Sequence, residues 1–319
     1  MRNKRLKKTV SVLTVFLILI VLVPVQVFGS DTSEMVTTDS EGSMNTYMIP
    51  FDKIQEEVLA KSPDTEDNQE VYNESDNGIV ANYTLDKANL NVVWEVQNDF
   101  FAYNDLQKQL NASKAKKTLL EYEYKLMEVK ASYGVATKEE LLVAEKNVTD
   151  QNNTIESIEN QIDNILEDFR YHLDLDKKVN IIIGSVPYQS VQFSKIDYNS
   201  DLFQGLSNSY DVSIAAWNDD NSSVYFDTVS SFKSSFKTAY NNLKSAVEKV
   251  DYDERYFTND QNAFKLAEIK YKYGTITKLE YLTEENNYLN AQISNDRNKN
   301  ELYKAYVKYE WAKKGLIVN

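Results

Sequence analysis

No proline interrupts the chain between Pro63 and Pro187, and none follows Pro187. Proline breaks helix interiors and glycine weakens them; the 319 residues contain only 4 prolines and 8 glycines. Such uninterrupted stretches predict helices much longer than those of an ordinary globular core. Hydrophobic spacing locates them. A helix over about Leu85 to Ser132 has Val92, Val96, Tyr103, Leu106, Leu110, Leu120, Tyr124 and Met127 at intervals of about three, four and seven. Over Thr137 to His172, Leu141, Val148, Ile155, Ile162 and Phe169 recur every seventh residue, with Ala144, Ile158 and Ile165 in the companion stripe. That is an a/d seam, which needs a partner helix to cover it. From about Asp227 to Tyr273, Val229, Phe236, Leu243, Val250, Phe257, Phe264 and Tyr271 continue one heptad position. A fourth helix is expected from Thr277 to about Lys314. The third would extend about 70 Å at 1.5 Å per residue, so these helices must pack lengthwise.

The chain also repeats itself at an offset of 140 residues. Lys125–Glu145 aligns with Lys265–Glu285, and 11 of the 21 positions are identical. Each copy reads as helix, Tyr-Gly turn, helix. Gly134 and Gly274 supply the left-handed residue that ends a helix. Thr137 and Thr277 can cap the returning helix, with Glu140 and Glu280 completing a capping box. A tight turn of this kind sends the second helix back along the first. The expected fold is therefore mainly α: two tandem long antiparallel helical hairpins, coiled-coil-like in packing, with little or no β structure and both turns facing the same way.

Charge and residue usage exclude several functions. The formal net charge is −14, and no basic face is evident of the kind a nucleic-acid partner requires. There is no cysteine and only one histidine, His172, which removes thiolate chemistry and leaves almost no route to histidine-based metal sites or a Ser-His-Asp triad. The acids Asp251, Asp253, Glu254 and Asp260 lack calcium-loop spacing and read as a solvated face. No phosphate-binding loop appears. The chain is read as no enzyme, with no cofactor, no metal and no catalytic residue.

Residues 1–29 read as a signal peptide: Arg2, Lys4, Arg5, Lys7 and Lys8 precede the apolar run Val10–Val23, and Val27 and Gly29 suit cleavage before Ser30. The run is shorter than the ~20 residues of a membrane span. Without this segment 30 basic side chains face 49 acidic ones, a net −19. Residues 30–46 are expected to form a disordered leader, 47–184 the first hairpin repeat and 185–319 the second. Within the repeats a short amphipathic helix is expected over Tyr47 to Lys61, an acidic connector over Ser62 to Ser75, a strand or extended crossing over Asn180 to Pro187, and one short helix around Asp201 to Trp217.

The block Tyr-Gly-x-x-Thr-Lys, followed by Leu282 and Glu285 in the second copy and by Leu142 and Glu145 in the first, resembles the TolC-type outer membrane efflux protein family. Ala267 to Leu282, Asn290-Ala-Gln292 and the closing Ala305 to Leu316 carry the resemblance in the second copy, and Leu173-Asp-Leu-Asp176 ends the first. The likeness covers roughly 47–319. It implies a homotrimer whose hairpins form a helical tunnel in the cell envelope, without enzymatic activity. It also implies that the hairpin tips dock a membrane-fusion-type adaptor protein and, through it, an inner-membrane transporter. By position the tip residues are Tyr133, Gly134, Thr137, Tyr273, Gly274 and Thr277.

The sequence departs from the family in one respect. The family's membrane-spanning β-hairpins would fall at 64–85 and 217–227, where there are no paired runs of 9–11 alternating residues. The barrel is therefore expected to be missing or vestigial. The leading reading is a TolC-like exported envelope component of an efflux system. The resemblance puts it at the outer membrane, and the missing strands count against that place. The alternative is a non-transporting structural coiled-coil protein of the envelope. A pore-forming toxin or adhesin would need a further apolar segment, and none follows residue 29.

Overall fold

The seams find their partners within the chain. The computed structural model describes residues 46–75, 78–188, 191–218 and 222–318; the signal segment and residues 30–45 of the leader lie outside them. Strand β1 spans Thr46–Ile49, followed by α1 (Ile54–Lys61), α2 (Pro63–Glu74) and α3 (Ile79–Ser132). Then come α4 (Lys138–His172), β2 (Asn180–Ile183), α5 (Tyr198–Asn208) and α6 (Tyr210–Asn218). The chain closes with α7 (Ser222–Lys272) and α8 (Lys278–Lys313). At 1.5 Å per residue the 54 residues of α3 measure about 80 Å.

The four long helices lie in the order α4–α3–α8–α7: α3 packs against α4 and α8, and α8 against α7. Neighbours are antiparallel. Between α3 and α8, Trp311 Nε1 donates to Gln97 Oε1 at 2.9 Å, Asn300 donates to Asp105 at 2.6 Å, and Lys278 lies 5.5 Å from the Tyr122 ring. These three contacts run up one helix and down the other. Both Tyr-Gly turns therefore sit at one end, and the mainly helical double hairpin expected from the repeat is what forms.

Packing is densest away from the turns. Phe100, Phe169, Val93 and Leu173 are fully enclosed in one cluster with Ile54 and Val58 of α1. Phe51 meets Phe100, Phe101 and Tyr303 at 5.2–5.3 Å between ring centres. A second cluster closes α7 on α8 and α6 through Phe232, Phe236, Leu243 and Tyr309. Each buried side chain of this size contributes about 1.5–3 kcal/mol. The strands β1 and β2 pair in parallel, with Thr46 opposite Asn180. Parallel strands need a long crossover, and here the whole first hairpin provides it.

Three local expectations are corrected. The acidic stretch after Ser62 is helix α2, with Pro63 in its first turn, Asp64 and Glu66 at the positive end of its dipole, and Asn68 donating to Asn89 of α3 at 3.0 Å. The helix expected from Tyr47 begins only at Ile54, because Thr46–Ile49 is drawn into the sheet with β2. The single helix around Asp201 to Trp217 is two, broken at Ser209, whose backbone turns extended (φ −66°, ψ 121°) and whose side chain is fully buried. At 64–85 and 217–227 the described residues are helical almost throughout: α2, the start of α3, the end of α6 and the start of α7. Among the described residues no helix is long and apolar enough to cross a membrane.

Candidate functional site: the paired hairpin tips

The two turns are built alike. After α3, Tyr133 closes the helix and Gly134 adopts φ +71°; Val135 N donates to Lys130 O at 2.9 Å and Gly134 N to Ala131 O at 3.0 Å. After α7, Gly274 also has φ +71°, Thr275 N donates to Lys270 O at 2.9 Å and Gly274 N to Tyr271 O at 3.0 Å. These paired bonds form a Schellman motif, which satisfies carbonyls that the helix end leaves open.

The returning helices are capped equally. Glu140 N donates to Thr137 Oγ1 at 3.1 Å, and Thr137 N to Glu140 Oε2 at 2.8 Å. The second copy gives 3.2 Å for Glu280 N to Thr277 Oγ1 and 2.7 Å for Thr277 N to Glu280 Oε2. The backbone N–H of each threonine holds its glutamate carboxyl below the usual range. The six residues singled out by sequence thus form two equal reversals, each with an exposed tyrosine at its apex: Tyr133 is 81% and Tyr273 75% exposed. Gly134 and Gly274 have no neighbouring atom within 4 Å of where a Cβ would stand, so only the backbone angle selects glycine there.

The tips are also adjacent. Lys278, the first residue of α8, reaches across to the Tyr122 ring of α3. Beside it lies a cleft of about 480 Å³ whose lining includes Leu120, Met127, Val143, Ala144 and Leu279, with Glu123, Lys130 and Glu139 among its polar residues. Sequence reading missed this cleft. Its signal is present in the chain as Val143, an apolar lining side chain that falls outside the buried seam and is more than half exposed.

Other singled-out residues are engaged elsewhere. His172 Nδ1 lies 3.0 Å from Ser62 Oγ and 3.8 Å from the Asp64 carboxylate, joining α4 to the α1–α2 corner. Asp253 accepts from Asn298, and Glu254 pairs with Lys299 at 2.8 Å. No cluster of three metal-ligating side chains occurs among the described residues.

Compared with solved structures, the chain superposes on CusC, which is described as forming a transmembrane channel, with a TM-score of 0.54 and 12% identity over 84% of this chain and 96% of that one. The fold is that of outer membrane channel proteins. A membrane protein from Pseudomonas aeruginosa gives a TM-score of 0.54 at 14% identity, covering 74% of this chain and 71% of that one. The outer membrane protein VceC from Vibrio cholerae gives 0.50 at 11%, covering 84% and 97%. No family model and no curated protein matches the sequence. The resemblance read from the two Tyr-Gly blocks is borne out as a TolC-type likeness of fold, at identities where fold alone is shown.

Proposed function

We propose that the protein is a TolC-like component of the cell envelope that assembles as a homotrimeric helical conduit. In this reading its tips dock an adaptor and, through it, an inner-membrane transporter. The observation that carries the proposal is a layer of four long helices whose outer members, α4 and α7, each have a long-helix neighbour on one side only, with both capped turns at one end. Laid edge to edge, α4 of one copy meets α7 of the next, and three copies supply twelve helices.

Charge supports that pairing. Between 156 and 168, α4 has exposed Glu156, Asp163, Glu167 and Asp168 and no base. Between 228 and 250, α7 has exposed Lys233, Lys237, Lys244 and Lys249 against Glu248 alone. The heights agree: Asp163 is 29 residues from Gly134, and Lys244 is 30 from Gly274. A conduit needs no reaction chemistry, so the protein is assigned no enzymatic step.

Sedimentation of the chain without its first 29 residues tests the assembly. A trimer is expected, weakened by Lys244→Glu with Lys249→Glu and restored when Glu156→Lys and Asp163→Lys are added. A monomer at micromolar concentration overturns the conduit. Photo-crosslinking from position 132 or 272 in the native host tests docking, with a membrane-anchored adaptor as the expected product. The second reading, a non-transporting envelope coiled coil, draws on the helices found among the described residues of 64–85 and 217–227. Crosslinks only to the protein itself would select it.

A further inference from the structure

The two hairpins are equal at their turns and unequal just behind them. In the second hairpin a ladder of rings closes the seam between α7 and α8. Phe257 stacks on Tyr288 at 5.8 Å and Phe264 on Tyr288 at 4.9 Å; Phe264 meets Tyr281 at 5.9 Å, and Tyr271 stacks on Tyr281 at 4.8 Å. Ala267 and Leu282 are buried beside it, at 4% and 5% exposure. The ladder ends only two residues above Tyr273.

The first hairpin has no counterpart. At an offset of 140, the ladder positions are Lys117, Tyr124, Ala131, Leu141 and Val148. One ring remains of five, and nothing stacks on it. The last buried residues of this seam are Leu119 on α3 and Gln151 on α4; between them, over 31 residues including the turn, no side chain is buried. No ring stack, hydrogen bond or ion pair joins 120–132 to 138–150 among the described residues. The cleft of about 480 Å³ lies there instead. This seam is internal to one chain, so an edge-to-edge neighbour does not supply the missing contacts.

We infer that the first hairpin is the yielding half of the paired tips: residues 120–150 open locally by separation of α3 from α4, while the aromatic ladder holds residues 257–288 closed. Local stability follows buried contact density, and the two copies differ in it just behind turns that are closed alike. Their Schellman bonds and capping boxes match, so the difference does not lie in how the turns are closed. Opening widens the cleft and swings Tyr133 away from Tyr273, so one apex of each chain is mobile and the other fixed. The inference concerns a single chain and stands whether or not the chain assembles into a conduit.

Amide hydrogen exchange on the full chain, read by peptide mass spectrometry, tests it. Peptides from 120–132 and 138–150 should exchange at least about tenfold faster than those from 260–272 and 278–290. Grafting the ladder (Lys117→Phe, Tyr124→Phe, Ala131→Tyr, Leu141→Tyr, Val148→Tyr) should slow the first hairpin to the rate of the second. The reverse change, Tyr281→Leu with Tyr288→Val, should speed the second to that of the first. It serves as the test if the graft does not fold. Equal exchange in the two wild-type hairpins overturns the inference. So does a reverse variant whose second hairpin stays protected.

Discussion

Replacing Gly134 or Gly274 by alanine isolates one physical term. Both residues stand at φ +71° with open space around the position of a Cβ, so the substitution meets no steric obstacle beyond its own backbone. The cost is that of holding an L-residue left-handed, about 1–2 kcal/mol at each site. Asparagine occupies that region more readily than alanine, so Gly134→Asn and Gly274→Asn should cost less. The two sites should nevertheless report the cost differently. In the second hairpin the strain sits directly below the Tyr271–Tyr281 stack and is resisted by packed structure, so it should appear in the thermal transition. A shift of about 2–4 °C per kcal/mol is expected for a body of 150–250 residues, and somewhat less for this larger one. In the first hairpin the chain can relieve the strain by fraying below Leu119, which leaves the melting temperature almost unchanged while amide exchange over 125–145 accelerates. Differential scanning calorimetry and exchange on the four single variants make the comparison. Equal destabilisation by alanine and asparagine would refute the left-handed backbone as the cause.

Phe236 is fully buried and packs against Tyr309 at 5.2 Å and Tyr198 at 5.8 Å; Phe236→Ala should lose about 3–5 kcal/mol in denaturant unfolding. Gln97→Leu removes the acceptor of the buried Trp311 N–H and should cost about 1–3 kcal/mol, with a changed indole fluorescence maximum as a second readout. Burial, then the charges of Asp168 and Glu95, push Asp99 up to about 6 from 3.8. A raised carboxyl binds its proton more tightly in the folded chain, so its contribution is present below about pH 4 and is lost as pH rises through 6. Asp99→Asn should therefore raise the melting temperature at pH 7.5 and leave it little changed at pH 4. Conversely, Glu140 and Glu280 are held low by their capping bonds, and that stabilisation should persist at neutral pH and fade as acid protonates them. Separately, Thr137→Ala removes the hydroxyl that accepts from Glu140 N and should cost about 1 kcal/mol as the loss of an N-cap, read as faster exchange at the start of α4.

What could be read from the chain is what local chemistry decides. Missing prolines, heptads and twin caps determine the long helices because each signal lies within a few residues of its effect. The misreadings all have distant causes. Helix α2 has little apolar content, and its partner Asn89 lies 21 residues on. Strand β1 looked helical because Ile54 and Val58 follow it at helical spacing, whereas its hydrogen-bonding partner lies beyond the entire first hairpin. The break at Ser209 is matched by the close approach of Gly315, where an added Cβ would stand 2.0 Å from Asn208 O. At the tips, the eleven identities between the repeats disclosed the shared turn and concealed the divergence beside it. Where the second copy has Tyr281 and Tyr288 the first has Leu141 and Val148 at the same heptad places, so a pattern of apolar positions could not register the difference in stacking.

The parallel pairing of β1 with β2 bears on how the chain reaches its fold. Thr46 and Asn180 are joined only when everything between them has been made. The helices of the first hairpin can coil on one another through Leu110, Ile155, Ile158 and Ile162, contacts nearer in sequence than that of the strands. The sheet closes a loop of more than a hundred residues, and contacts of such high order form slowly. The pairing of β1 with β2 is thus made late, after the helices of the first hairpin have packed on one another. Until β1 is seated, α3 is a free ridge on which either α4 or α8 can settle first, and the eleven positions shared by the two turn-proximal segments make a mispaired hairpin the trap to expect of this sequence.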